Sequence, residues 1–117
     1  MNVNEVVEKL ELKVEAGRSG LNREVTGGYA SDLLSDVMAN AREGDIWVTL
    51  QVHENVIAVA LLTNIAAVII TGNREPAAGT TQQADTEGLP VLFTELTTFE
   101  TVVALGGIGI EGGGLNG

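Results

Sequence analysis

Polar residues cluster at three points where a parallel sheet would expose them. These are Gln51, His53 and Asn55 after "DIWVTL", then Thr71, Gly72, Asn73 and Arg74 after "AAVII", then Thr94 and Glu95 after "LPVLF". Open parallel α/β sheets bind ligands outside the carboxyl ends of their strands, so these residues fall on one candidate rim. Arg74 offers a grip for an anion, with a surface salt bridge as the equal alternative. The competing reading of the whole rim is architectural, because helices start at strand ends and their first amides need polar caps.

His53 is the single histidine and offers a general base or a ligand nitrogen. It has no serine or cysteine nucleophile at a fixed spacing and no second histidine for a metal, which favours a helix-start role. Asp32, Asp36 and Asp45 can be drawn as a divalent-cation site. Asp32 and Asp36 at i, i+4 also make an ordinary solvated helix face, and no metal site and no catalytic set is assigned. Trp47, inside an apolar strand, reads as core.

"VTGGYASDLLSDVM", residues 25 to 38, has the layout of a phosphate-cradling loop: strand, glycine turn, helix N-terminus. Asp32 and Asp36 would oppose a phosphate in that first helical turn. Thr26, Gly27 and Gly28 are therefore read as a strand-to-helix turn that contacts a neutral or cationic group or helps to build an interface. "GIGIEG", residues 107 to 112, spells G-x-G-x-x-G, but it follows a helix and has no room for another, so the dinucleotide fingerprint fails on context.

The elements that must position these groups follow from periodicity. Val3, Val6, Val7 and Leu10 mark a helical face behind an Asn2/Glu5 capping box. "LELKVE" alternates as a half-exposed strand, "AGRSGLN" is a loop, and "REVTGG" is a second short strand. Leu33, Leu34, Val37, Met38 and Ala41 mark a helix capped by Ser31 or Asp32 and ended by Gly44. "DIWVTLQV", "AAVIIT" and "LPVLFT" are strands, each followed by a helix: "ENVIAVALLTN", covered on several sides; a polar helix ended by Gly88; and "LTTFETVVALGG" with a Thr97/Glu100 capping box. The predicted fold is a single α/β domain whose three consecutive strand-helix units form a parallel layer, with an added N-terminal helix-strand portion. Residues 1–109 form the domain, and 110–117 a mobile glycine-rich C-terminal tail.

The composition sets the outer limits. A chain of 117 residues with 44% hydrophobic content is one domain, and folding at this size buries roughly two thirds of the unfolded surface. Cysteine is absent, which excludes disulfides and thiolate chemistry and points to the cytoplasm. The N-terminus lacks the pattern of a signal peptide, and no apolar stretch is long enough to span a bilayer. Sixteen acidic residues against six basic ones give a net charge of −10, which repels nucleic acid and anionic membranes.

With these residues in view, "NREVTGGYASDLLSDVMANAREGDIWVTLQVHENVIAVALL" and "AAVIITGNREP" together resemble the DRTGG domain family. The likeness runs from about Val6 to Gly109, and its TGGY-x-SDLLS and GDIW-x-T-x-Q blocks are specific. Arg23, Thr26, Gly27 and Gly28 match the residues that give the family its name. Asn22 stands where its Asp is expected, which loses a charge and keeps an acceptor. The resemblance implies a fold similar to the N-terminal domain of HPr kinase/phosphorylase and a small stand-alone member of the family. Its relatives occur beside CBS domains, in long phosphate acetyltransferases and in cobyrinic-acid-synthase-like ATPases. No P-loop or kinase catalytic set accompanies it.

The function expected is a non-enzymatic regulatory or ligand-sensing module that binds a small metabolite or nucleotide and signals to a partner enzyme. The alternative is a pure protein-interaction domain without a small ligand, and the third reading is an enzyme using His53. The candidate ligand contacts are Thr26, Gly27, Gly28, Asp32, Gln51, His53, Asn55, Thr71, Gly72 and Arg74. No cofactor is assigned beyond that nucleotide or metabolite, and a homodimer is expected from the apolar content of so small a chain.

Overall fold

In the run Ile46-Trp47-Val48 of strand β3 (Asp45–Thr49), successive side chains leave the sheet on opposite faces, as the pleat requires. All three are buried, so apolar material must cover both sides. The computed structural model, which describes residues 1–113, shows two separate cores. Trp47 joins Val68 and Ile70 of β4 (Ala67–Ile70) and Val91 of β5 (Val91–Phe93) in one. Ile46 and Val48 join Ala67, Ile69 and Leu92 in the other. The unbroken apolar run of β4 is the pattern of a parallel strand buried on both faces.

The sheet has five strands in the order β1-β5-β4-β3-β2, where β1 is Lys13–Ala16 and β2 is Gly27–Ala30. Strands β2 to β5 are parallel, and β1 runs antiparallel along β5. Helices α2 (Leu34–Asn40), α3 (Asn55–Thr63) and α4 (Ala78–Glu87) pack side by side over the Trp47 core. Helices α1 (Val3–Leu10) and α5 (Thr98–Gly107) pack over the Ile46 core, with α5 lying across β2 and β3. The three strand-helix units read from the sequence are all present, and β2 adds a fourth parallel strand to their layer. Both predicted capping boxes form, Asn2 with Glu5 and Thr97 with Glu100. Gly88 ends α4 in the left-handed conformation.

Residues 23–44 depart from the sequence reading. The strand does not stop at the two glycines but begins there, with Gly27 opposite Asp45 and Gly28 opposite Ile46. Neither glycine has positive φ. What Gly27 provides is clearance: a Cβ there would lie 2.8 Å from Asp45 Oδ1 and 3.1 Å from the Glu111 carbonyl oxygen. The helix starts later than expected, at Leu34, with neither Ser31 nor Asp32 as its cap. It also ends before Gly44, which turns the chain into β3 at φ 84°. Of its expected apolar face, Val37 is buried while Leu33 and Met38 are exposed. Helix α3 buries Val56, Ile57, Val59 and Ala60 but exposes Leu62.

Strand β2 is an edge strand, and residues 110–113 run along its outer side. Gly28 N donates to the Glu111 carbonyl at 3.1 Å. Ile110 packs against the Ile46 core.

Candidate functional site

The carboxyl ends of β2, β3 and β4 bring Asp32, Gln51, His53, Asn55, Thr71, Gly72 and Arg74 onto one rim. Asp32, just beyond β2, reaches across to the loop after β3. Its Oδ1 accepts from Thr49 Oγ1 at 2.9 Å and from Leu50 N at 2.7 Å. Gln51 returns the contact, its Nε2 donating to the Asp32 carbonyl at 2.9 Å. The Trp47 indole donates to the Ser31 carbonyl at 2.8 Å and holds the same loop from below. Both charged and neutral polar groups here are consumed in tying β2 to β3.

His53 begins α3. Its Nδ1 accepts from Asn55 N at 3.1 Å, so the ring lone pair that a base would use is already engaged. The first turn offers little to an anion, because Val56 N and Ile57 N donate to the carbonyls of His53 and Glu54.

Thr71 is fully buried, and its hydroxyl shares a 2.8 Å hydrogen bond with the hydroxyl of Thr98. Gly72 N donates to the Leu96 carbonyl and Asn73 N to the Thr94 carbonyl, pinning the loop after β4 to the loop after β5. Gly72 and Asn73 both have positive φ, 76° and 61°, and this tight left-handed pair delivers Arg74 to the surface. Arg74 is exposed, and its guanidinium has no hydrogen-bond or ion-pair partner among the described residues.

The remaining predicted contacts lie elsewhere. Thr26 sits at the amino end of β2, its N–H on the Gly44 carbonyl at 2.9 Å and its hydroxyl on the Glu43 carbonyl at 3.0 Å. Gly27 faces Asp45 there, at the opposite end of the strands from the rim, and Gly28 faces the sheet edge. The reason is the shifted strand: when β2 starts at Gly27, the rim falls after Ala30.

The three aspartates do not converge. Asp36 accepts from the Tyr29 hydroxyl and from Asn40 Nδ2, each at 2.9 Å. Hydrogen bonds from Ser31, Tyr29 and Asn40 hold its carboxyl below the ordinary carboxylate range, and the Asp36 acceptor in turn pushes the Tyr29 hydroxyl up. Asp45, 4% exposed, accepts from Arg42 N at 2.8 Å. Burial pushes its carboxyl up, against the lowering effect of that hydrogen bond and of the Arg42 charge. Among the described residues no three His, Cys, Asp or Glu side chains form a metal-binding group. None of their helices is long and apolar enough to cross a membrane.

Two features escaped the sequence reading. One is the outer face of α5, where Phe99, Val102 and Val103 are exposed. The other is a hollow of about 160 Å³ beside it, walled by Val102, Leu105, Ile110 and β2. The i, i+3, i+4 spacing of Phe99, Val102 and Val103 was the available signal, but apolar spacing alone does not say which face a sheet covers.

Four parallel strands, helices on both faces and a polar rim define a small open-sheet α/β domain. The model of the DRTGG domain matches residues 5–107, and the chain belongs to that family. No curated protein matches it. Among solved structures it is similar to the CBS and DRTGG domains of the regulatory region of Clostridium perfringens pyrophosphatase, complexed with the activator diadenosine tetraphosphate. The TM-score is 0.72 at 13% identity, over 89% of this chain and 45% of that one. This chain thus spans less than half of that regulatory region.

Proposed function

We propose that the chain is a non-catalytic regulatory module that works by contact with a partner protein and meets a nucleotide or similar small anionic metabolite at the Arg74 corner of its rim. The observation that carries this reading is the state of the rim: Asp32, Gln51, His53 and Thr71 are engaged within the protein, and Arg74 is left with an open guanidinium. One cation on a chain of net charge −10 is a weak anion site by itself, so further donors come from a partner. The kinship supports the same reading, since the similar pyrophosphatase fragment is a regulatory region holding an activator nucleotide. The lack of cysteine fits a cytoplasmic setting.

Thermal denaturation with ATP and with diadenosine tetraphosphate as probes tests the ligand part. A ligand at a hundredfold excess over its Kd stabilises by about 2.7 kcal/mol. The expected result is a rise in Tm for the wild type that Arg74→Ala reduces or removes. A wild type that no nucleotide stabilises, together with a stoichiometric protein partner recovered without nucleotide, replaces this reading by a pure interaction domain. That second reading rests on the same engaged rim, taken as helix and loop caps alone.

A further inference from the structure

Strand β2 is an edge of the sheet, and its outer side is only half used. Gly28 N points away from β3, since it donates to the Glu111 carbonyl. By the alternation of a strand, the N–H and C=O of Ala30 point the same way, while Ser31 N turns back to the Val48 carbonyl at 3.2 Å. Ala30 is exposed, and its outward groups have no partner among the described residues.

The segment that lies on this edge is a poor sixth strand. Residues 110–113 take up no regular structure, and among the described residues one backbone hydrogen bond ties them to β2. Glu111, Gly112 and Gly113 are exposed, and glycine loses more freedom on ordering than any other residue. Hollows remain on both sides of the strap. On the α5 side the hollow of about 160 Å³ has Val48, Val102, Leu105 and Ile110 in its wall, and an apolar space of that size takes a group as large as benzene. On the α2 side a second hollow, of about 230 Å³, meets Asn40, Arg42 and Asp45. The Tyr29 hydroxyl, bonded to Asp36, stands on that side as well.

We propose that the outer edge of β2 is the docking site for an extended segment of a partner protein, which displaces residues 110–113 and joins the sheet through the main chain of Gly28 and Ala30. An unpaired edge is a template for such strand addition. The clearance at Gly27, where a Cβ would lie 3.1 Å from the Glu111 carbonyl oxygen, lets a second backbone come this close. The two hollows set the chemistry of the segment, because alternate side chains of an added strand fall on opposite faces. One set enters the aliphatic hollow beside α5, and the other meets the polar side beside α2. A net charge of −10 favours basic residues in that second set and disfavours a second copy of this chain. The occupant is therefore a strand in which aliphatic and basic residues alternate. The strap acts as its built-in competitor, lowering the apparent affinity by the fraction of chains whose edge is covered. This inference rests on the partner-contact half of the reading above and makes no use of Arg74.

Fluorescence anisotropy with a labelled peptide of about eight alternating valines and lysines tests it. The two samples are the full chain and a chain ending at Ile110, which keeps Ile110 in the Ile46 core. Saturable binding to both is expected, tighter by about fivefold in the shortened chain, where competition worth one backbone hydrogen bond is gone. Ala30→Pro removes an outward N–H and leaves the β2–β3 ladder intact, so it should weaken binding by about tenfold. A peptide of the same composition with its lysines and valines in separate blocks should bind as weakly, which separates strand addition from simple charge attraction. Circular dichroism establishes that each variant is folded. Arg74→Ala should bind the peptide as the wild type does, and Ala30→Pro should keep any stabilisation by nucleotide, so the two readings fail separately. A peptide that binds neither chain overturns the proposal, as does binding indifferent to Ala30→Pro and to the block order. A shortened chain that pairs with itself in sedimentation and excludes the peptide overturns it too.

Discussion

Replacing Asp32 by Ala removes one acceptor from two donors, Thr49 Oγ1 and Leu50 N. Thr49 is fully buried, so its hydroxyl has no ready substitute in water. The expected loss is about 1–2 kcal/mol of stability, read from the urea midpoint. A residue kept for ligand contact alone would instead leave the midpoint unchanged. His53 follows the same logic: its chemistry is visible in the sequence, but its hydrogen bond to Asn55 N places it at the start of a helix. Polar residues at strand ends serve caps and ligands equally well, and only the geometry separates the two uses.

At the scale of elements, α5 depends on its N-terminal box. Thr97→Ala removes the acceptor for Glu100 N and should cost about 1 kcal/mol, measurable by thermal or urea unfolding. The Thr97 backbone N–H and hydroxyl hold the Glu100 carboxyl below its ordinary range. The stabilisation from Glu100 is therefore present above its unfolded pKa and is lost as pH falls through the lowered folded value. Such boxes were legible in the sequence because both partners sit three residues apart, as were the β4 run and the Gly88 stop. The start of β2 was not legible. A glycine that gives clearance against Asp45 across the sheet looks, in one dimension, the same as a glycine that turns the chain. That single shift moved Thr26 and Gly27 off the rim and left Asp32 on it. The open face of α5 was hidden for a related reason, since the strands that bury one of its apolar faces come from distant parts of the chain.

At the scale of the whole molecule, the −10 charge and the buried Asp45 carboxylate both lower stability as pH rises, the first through growing self-repulsion and the second through ionisation out of water. Asp45 has its folded pKa raised, so its stabilising contribution is complete below its unfolded pKa and is lost as pH rises through the raised value. Asp45→Asn keeps an acceptor for Arg42 N and removes the titration. The variant should gain stability relative to wild type as pH rises from about 4 towards 7, and urea midpoints across that range check it. A difference independent of pH would show that burial does not govern Asp45.

Under the proposed function the rim is architecture, with Arg74 as its outward contact for an anionic ligand. Hydrogen exchange of the wild-type chain, with and without diadenosine tetraphosphate, tests that division most directly. Slower exchange is expected, confined to the loop from Gly72 to Glu75 and lost in Arg74→Ala. Protection that appears instead around Thr26 to Gly28, or that survives in Arg74→Ala, would contradict it.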